Sequence, residues 1–193
     1  MRKTRALAWA ALPLMVFSLR VAAAPAGEPV TAATDRMHVF AGGQKVLVPA
    51  GWELVQGPAQ AGREMIMIAK PGATAADNQT CSVTLRVIDP PEPMGQQAPV
   101  LPDVAWAMMH SNQQVKVLEN GVSTLAGLPA HQALLALTQG DDRQVALVRL
   151  RLADDYTWSL MCSAGAYHPG VAREGFDRMA GTFRRVLDSF SAP

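Results

Sequence analysis

Hydrophobic and polar residues alternate strictly in two neighbouring stretches near the C-terminal end of the chain. In residues 144–152, Val148, Leu150 and Leu152 alternate with two arginines. In residues 156–163, aromatic and aliphatic side chains alternate with hydroxyl-bearing ones. Alternation with a period of two is typical of strands that have one buried face and one wet face. The two stretches therefore predict a β-hairpin.

The register of this hairpin depends on its turn. A two-residue turn over residues 154–155 would place the two apolar stripes on opposite faces of the sheet. That register is unfavourable if only one face of the sheet is buried. The pattern therefore favours a three-residue turn over residues 153–155, which pairs Leu152 with Tyr156.

The hydrophobic period changes after residue 168. Apolar residues then recur at steps of three and four as far as Phe190, with charged residues between them. This pattern predicts one amphipathic helix, which begins near Pro169 and packs its apolar stripe on the preceding hairpin. Glu174 and Arg178 are expected to form an i,i+4 ion pair on its outer side.

The remaining segments predict short strands around one further helix. Asp103 is expected to cap a helix over residues 104–112, and Asn120-Gly121 is the strongest hairpin-turn signal in the chain. Together the segments predict an α+β fold, in which an antiparallel sheet of about seven strands is covered by two helices in a single-domain sandwich. The predicted strands before the C-terminal hairpin cover residues 38–40, 45–48, 65–69, 81–88, 115–119, 122–126 and 131–139.

The N-terminal residues have the pattern of a secretory signal. Three basic residues precede an apolar run over residues 6–19, and small residues follow at 21–24. We therefore predict a signal peptide over residues 1–23, a flexible arm over 24–36 and one folded domain over 37–193. The predicted location is the periplasm. No cysteine lies near the predicted cut, so the mature protein is not expected to be anchored in a membrane.

Removal of residues 1–23 changes the charge balance. The whole chain has 17 Lys and Arg residues and 16 Asp and Glu residues. Four basic residues and no acidic ones leave with the signal, so 13 basic and 16 acidic residues remain and the net charge is −3. A mildly acidic domain without a basic cluster is a poor candidate for nucleic-acid binding.

The order of these elements resembles a known fold. Residues 48–52 read VPAGW, residues 126–130 read AGLPA, and residues 143–190 form the predicted hairpin and helix. This arrangement resembles the PsbP-like fold, and it is most similar to the DcrB-type bacterial envelope proteins. The resemblance implies a central antiparallel sheet with helices on both sides. It implies no activity, because such domains serve as accessory subunits, adaptors and binding modules.

The residue pattern contains no catalytic constellation. The histidines are His38, His110, His131 and His168; none has the spacing of metal ligands on a helix, and each is interpreted as a surface or capping residue. No catalytic residue, no metal site and no cofactor is therefore predicted, and the chain is not expected to be an enzyme. The alternative is an enzyme or metal carrier whose site is assembled from scattered histidines and methionines.

The favoured hypothesis is a non-enzymatic exported protein that binds another protein. The contact surface is expected around an exposed loop over residues 89–102, whose five prolines lower the cost of ordering an extended segment. Methionines near the loop suit an adaptable protein contact, or copper(I) if they converge. A more specific version is an immunity protein against a periplasm-targeted toxin. The candidate contact residues are Glu92, Met94, Gln96, Gln97, Met108 and Met109.

The two cysteines are predicted to form a disulfide. Cys81 and Cys162 each lie on the apolar stripe of a predicted strand, so both point into a core. Paired cysteines usually join in an oxidising compartment. The alternative is two buried thiols that act as small hydrophobic side chains.

Overall fold

The computed structural model describes residues 34–57, 60–72, 78–91, 93 and 100–193. The predicted signal peptide lies outside the described residues, as does the predicted arm before residue 34. In chain order the described elements are β1 (Arg36–Val39), β2 (Lys45–Val48), β3 (Glu53–Gln56), β4 (Arg63–Ala69), β5 (Asn78–Val87), α1 (Asp103–Met109), β6 (Gln114–Leu125), β7 (Leu128–Gln139), β8 (Asp142–Leu152), β9 (Tyr156–Ala166) and α2 (Pro169–Asp188).

Seven of the described strands form one antiparallel sheet in the order β3-β4-β5-β9-β8-β7-β6. The strands β1 and β2 form a separate two-stranded hairpin. This arrangement confirms the predicted α+β single domain with about seven strands and two helices. The last strand, β9, returns to pair with β5 and is therefore the central strand of the sheet.

The larger core lies between the sheet and α2. The helix buries one stripe, in which Phe183 is fully buried. We call this side of the sheet the α2 face. The hairpin β1–β2 closes the same layer with Phe40, Val46 and Val48. The predicted amphipathic helix and its packing on the C-terminal hairpin are thus confirmed.

A second, smaller core lies on the opposite side of the sheet, which we call the α1 face. Trp106 of α1 and Leu101 before it pack there against apolar residues of β7 and β8. Both faces of β8 are therefore covered, and every residue from Val145 to Leu150 is buried. The other apolar residues of this core are Ala133, Leu135, Leu137, Ala146, Val148 and Leu150.

The predicted three-residue turn between β8 and β9 is wrong. Arg151 lies opposite Trp158, and the Ala153 N–H donates to the Tyr156 carbonyl at 2.9 Å. The turn therefore consists of residues 154–155. The prediction failed because it assumed one buried face. In the structure the apolar stripe of β8 faces α1 while that of β9 faces α2, so opposite stripes are the favourable register.

The predicted turn at Asn120-Gly121 is also wrong. The strand β6 passes straight through both residues and pairs with β7 along most of its length. The chain reverses instead at Ala126 and Gly127, where φ is 53° and 74°. Two successive residues with positive φ are typical of a type I′ hairpin turn, whose twist matches that of the strands.

This correction makes a prediction about two glycines. Gly127→Ala is expected to lower the free energy of unfolding by about 1–2 kcal/mol, because alanine is strained at positive φ. Gly121→Ala is expected to be neutral or to stabilise by about 0.5–1 kcal/mol, since a Cβ there meets nothing within 4 Å. Urea unfolding of both variants measures the difference. The opposite order would mean that the turn lies at Gly121.

The C-terminal end of α2 is tied to the sheet and to β2. Arg149 of β8 is buried and donates to the Asp188 carboxylate at 2.6 Å. The Ser189 hydroxyl accepts from the Leu47 N–H at 2.8 Å. Between described residues of α2, the i,i+4 ion pair joins Arg173 to Asp177, rather than the predicted Glu174 to Arg178. The helix end therefore has a fixed position over β8.

Candidate functional site

The short helix α1 is anchored by its buried side, which leaves its other side to solvent. Trp106 is 1% exposed in the second core, and Pro102 is the residue before the first helical turn. The prediction that Asp103 caps this helix is wrong, because Asp103 lies inside the first turn and no side chain caps the helix. Tertiary contacts therefore hold α1 in place.

Asn120 makes three of those contacts from the middle of β6. Its Oδ1 accepts from the Trp106 indole N–H at 3.2 Å. Its Nδ2 donates to the Leu101 carbonyl at 2.6 Å and to the Asp103 carboxylate at 3.0 Å. The residue that the sequence places in a turn thus fixes both the start of α1 and its tryptophan. No local pattern signals this role.

The structure describes two of the six predicted contact residues, Met108 and Met109. Glu92, Met94, Gln96 and Gln97 lie outside the described residues. Met108 is 49% exposed on the outer side of α1, whereas Met109 is half-buried and packs against the second core.

The predicted exposed loop has one buried member. Leu101 is only 7% exposed and belongs to the second core. The prediction that all of residues 89–102 are exposed is therefore wrong at Leu101. Pro90, Pro91 and Pro102 are exposed.

Apolar side chains are exposed on α1 and on the neighbouring strand β6. The most exposed are Val122 at 64% and Val104 at 62%. The two elements adjoin, because Asp103 of α1 is bonded to Asn120 of β6. We call this area the α1–β6 surface. Its exposed apolar residues are Val104, Met108, Leu118 and Val122.

The strand β6 is also an edge of the seven-stranded sheet. Its pairing with β7 shifts by one residue between Val117 and Glu119, so Leu118 is a bulge. A bulge on an edge strand interrupts the row of free backbone groups and hinders edge-to-edge pairing. Side-chain contact is therefore the more suitable mode of binding at this surface than addition of a full-length strand.

A cleft of about 720 Å³ lies at one end of the α2 face, away from the α1–β6 surface. It is bordered by the β1–β2 turn, the first residues of β4 and the ends of β5 and β9. Tyr156 and Trp158 stack at 4.4 Å in its wall, and the Arg151 guanidinium donates to the Tyr156 hydroxyl at 2.8 Å. Its apolar wall and charged rim are typical of small-molecule sites, but none of the four histidines lines it.

The four histidines lie apart in the fold. His168 is exposed at the start of α2, as predicted, and His38 is half-buried beside the Phe40 ring. His110 and His131 are buried at 2% and 7% exposure, so neither is a surface residue. His110 does stand at the C-cap position of α1, whereas His131 lies inside β7, where the prediction is wrong. Among the residues that the structure describes, no group of three or more His, Cys, Asp or Glu side chains could hold a metal ion.

His110 gives the stability of the protein a pH dependence. Burial lowers the pKa of His110 below its ordinary value of 6.5, because the charged form is poorly solvated at the end of α1. As the pH falls through about 6.5, His110 therefore binds a proton in the unfolded chain but not yet in the folded chain. The free energy of unfolding is expected to decrease as the pH falls below about 6.5.

Thermal unfolding between pH 7.5 and pH 5 measures this effect. His110→Gln is expected to flatten the pH dependence, while His168→Gln, at an exposed position, is expected to leave it unchanged. An equal pH dependence in the wild type and in His110→Gln would contradict the assignment.

The predicted disulfide is present. Cys81 of β5 and Cys162 of β9 lie directly opposite each other and are joined with an S–S distance of 2.07 Å. Both residues are fully buried on the α2 face, where the Cys162 sulfur lies 3.9 Å from the Phe183 carbonyl. The bond therefore links the two central strands inside the main core.

None of the described helices is long and apolar enough to cross a membrane. In comparisons with known proteins, no family model matches the sequence, and no curated protein matches it either.

Solved structures give a positive result. The solution structure of cyanobacterial PsbP (CyanoP) from Synechocystis sp. PCC 6803 matches with a TM-score of 0.56 at 16% sequence identity. The match covers 87% of this chain and 98% of CyanoP. The protein has a PsbP-like fold. At this identity the likeness shows the fold alone.

A second structure is more distant. The crystal structure of LpqN, involved in cell envelope biogenesis of Mycobacterium tuberculosis, matches with a TM-score of 0.45 at 12% identity. The match covers 83% of this chain and 91% of LpqN. The PsbP-like fold agrees with the arrangement that the sequence resemblance implied, a central antiparallel sheet with a helix on each side.

Proposed function

We propose that this protein is an exported, non-enzymatic accessory protein that acts by binding another protein through the α1–β6 surface. The observation that carries the proposal is the exposure of four large apolar side chains on two adjoining elements. Exposed apolar clusters on a soluble domain are characteristic of interaction sites. Met108 in the last turn of α1 adds an adaptable side chain that suits a protein contact.

Export is supported by two independent features. The N-terminal 23 residues have the basic, apolar and small-residue order of a secretory signal. The disulfide between Cys81 and Cys162 belongs to an oxidising compartment such as the periplasm. The mature protein is proposed to be free of a membrane anchor, because no cysteine lies at the predicted cut.

Within this proposal we favour a DcrB-type envelope protein as the nearest functional class, on the motifs VPAGW and AGLPA. An immunity protein against a periplasm-targeted toxin is the most specific version, since a small exported binding domain suits that role. The alternative, an enzyme or metal carrier, would be favoured by a pocket that holds two or more of the histidines, and none of them lines the cleft at Tyr156 and Trp158.

The test is capture of partners by the mature protein from its own periplasm, followed by binding measurements with the purified partner. Met108→Glu combined with Val122→Glu is expected to weaken binding at least about tenfold, because two charges would be placed in an apolar contact. Val171→Glu is the matched control, since Val171 is similarly exposed but lies on α2. Both variants should keep the wild-type melting temperature within a few degrees.

Two results would overturn the proposal. The first is a partner whose affinity is the same for the wild type and for the double variant. The second is a partner whose affinity falls equally in Val171→Glu, which would show that any added charge weakens the complex.

A further inference from the structure

Two arginines face each other across neighbouring strands at one end of the sheet. Arg63 of β4 is the direct partner of Arg86 in β5, and Arg86 is in turn opposite Thr157 of β9. Opposite residues of antiparallel strands project from the same face, with Cβ atoms about 4.5–5.5 Å apart. Like charges in this position destabilise a sheet unless a counter-charge lies between them.

No described side chain forms an ion pair with either arginine. The ion pairs between described residues involve Arg149, Arg173 and Arg185, and no described carboxylate lies within 4.0 Å of Arg63 or Arg86. Both residues are half-buried, so water screens their repulsion less than it would on an open surface. Neither arginine therefore has an ion-pair partner in the described part of the chain.

Hydroxyl groups adjoin the two arginines on the same face. Thr157 is next to Arg86, and Thr84, two residues before Arg86, is opposite Ser159. The apolar contacts of α1 lie on β7 and β8, to one side of this area. Three adjacent strands thus present two guanidinium groups and three hydroxyl groups together.

We propose that Arg63 and Arg86, with the hydroxyls of Thr84, Thr157 and Ser159, form a binding site for an oxyanion of the phosphate or carboxylate class. Guanidinium groups donate paired hydrogen bonds that match the oxygen atoms of these anions. Hydroxyl donors complete the set of bonds around a tetrahedral or planar group. The site is separate from the α1–β6 surface and does not depend on the proposed function.

The first experiment titrates the mature protein with inorganic phosphate and with citrate, against sodium chloride at equal ionic strength. Backbone amide signals of β4, β5 and β9 are followed by two-dimensional NMR. We expect saturable shifts in the wild type and at least about tenfold weaker binding in Arg86→Gln, because a charge-assisted bond is lost. Arg184→Gln, at an exposed position on α2, is the matched control and should bind as the wild type does.

A melting experiment separates this site from an internal ion pair. In a buffer without oxyanions, Arg86→Gln is expected to melt at the same temperature as the wild type or higher, because repulsion is removed. Phosphate should then raise the melting temperature of the wild type and not that of Arg86→Gln. Glu92→Gln is the control for a counter-charge supplied by a carboxylate outside the described residues, because Glu92 follows Pro91 directly in the sequence. This variant is expected to leave both results unchanged.

Absence of saturable shifts with both anions would overturn the proposal. So would a lower melting temperature of Arg86→Gln in the oxyanion-free buffer, which is the behaviour of a residue paired within the protein. Vesicles of phosphatidylglycerol then identify the source of the anion. Binding to them that Arg86→Gln abolishes supports a lipid headgroup, and binding of free phosphate without vesicle binding supports a soluble ligand.

Discussion

Trp106→Ala is expected to lower the free energy of unfolding by about 3–5 kcal/mol, the usual cost of removing a large buried aromatic side chain. Trp106 is 1% exposed and fills the second core against β7 and β8. Its loss also leaves the Asn120 amide without its indole donor. Because α1 has only seven residues, it cannot persist without this anchor.

Urea unfolding measures the stability, and amide hydrogen exchange locates the change. We expect exchange to increase first in α1 and β6, while β5 and β9 remain protected. Val104→Ala is the control on the same helix, and its effect should stay within about 0.5 kcal/mol because Val104 is exposed. A cost below about 1 kcal/mol for Trp106→Ala would contradict the docking of α1 and, with it, the proposed α1–β6 surface.

The sequence correctly predicts those elements that bury only one face. The helix α2 has a single apolar stripe, and the stripe of β5 from Cys81 to Leu85 faces the same core. When apolar residues recur on one face only, their spacing indicates both the type of secondary structure and the face that is buried. For that reason the helix, the strand and the orientation of both cysteines follow from periodicity alone.

The two wrong turns have one common cause, which is that tertiary structure decides where a turn is favourable. The two-residue turn after β8 is correct only because a second helix covers the α1 face. Asn120 and Gly121 stay in a strand because the Asn120 side chain holds α1. A local turn propensity of this kind is outweighed by several buried contacts.

The candidate site was only partly predictable for a related reason. Exposure of Val122 and Leu118 depends on β6 being the last strand of the sheet, and strand order is not encoded in local periodicity. The opposition of Arg63 and Arg86 depends on the register of β4 with β5. Met108 was identified because its unusual residue type, rather than its position, indicated a contact.

Loss of the disulfide is expected to have an effect as large as that of Trp106→Ala. The bond joins residues 81 positions apart. For a closed loop of about eighty residues, the chain-entropy model gives about 4–5 kcal/mol of stabilisation, because the unfolded chain is constrained. Breaking the bond should therefore shift the urea midpoint strongly and increase the dependence of the unfolding free energy on urea, since the reduced chain exposes more surface when unfolded.

The reduced wild type is the best comparison, because it loses the bond without losing any side-chain volume. Cys81→Ala with Cys162→Ala should be at least as unstable, since it also leaves a cavity beside Phe183. Both sulfurs belong to fully buried residues, so a mild reductant is expected to act on the native protein only as fast as the core opens. Alkylation of the mature periplasmic protein under denaturing conditions without reductant decides the matter by intact mass: two added alkyl groups would show that the bond does not form in the cell.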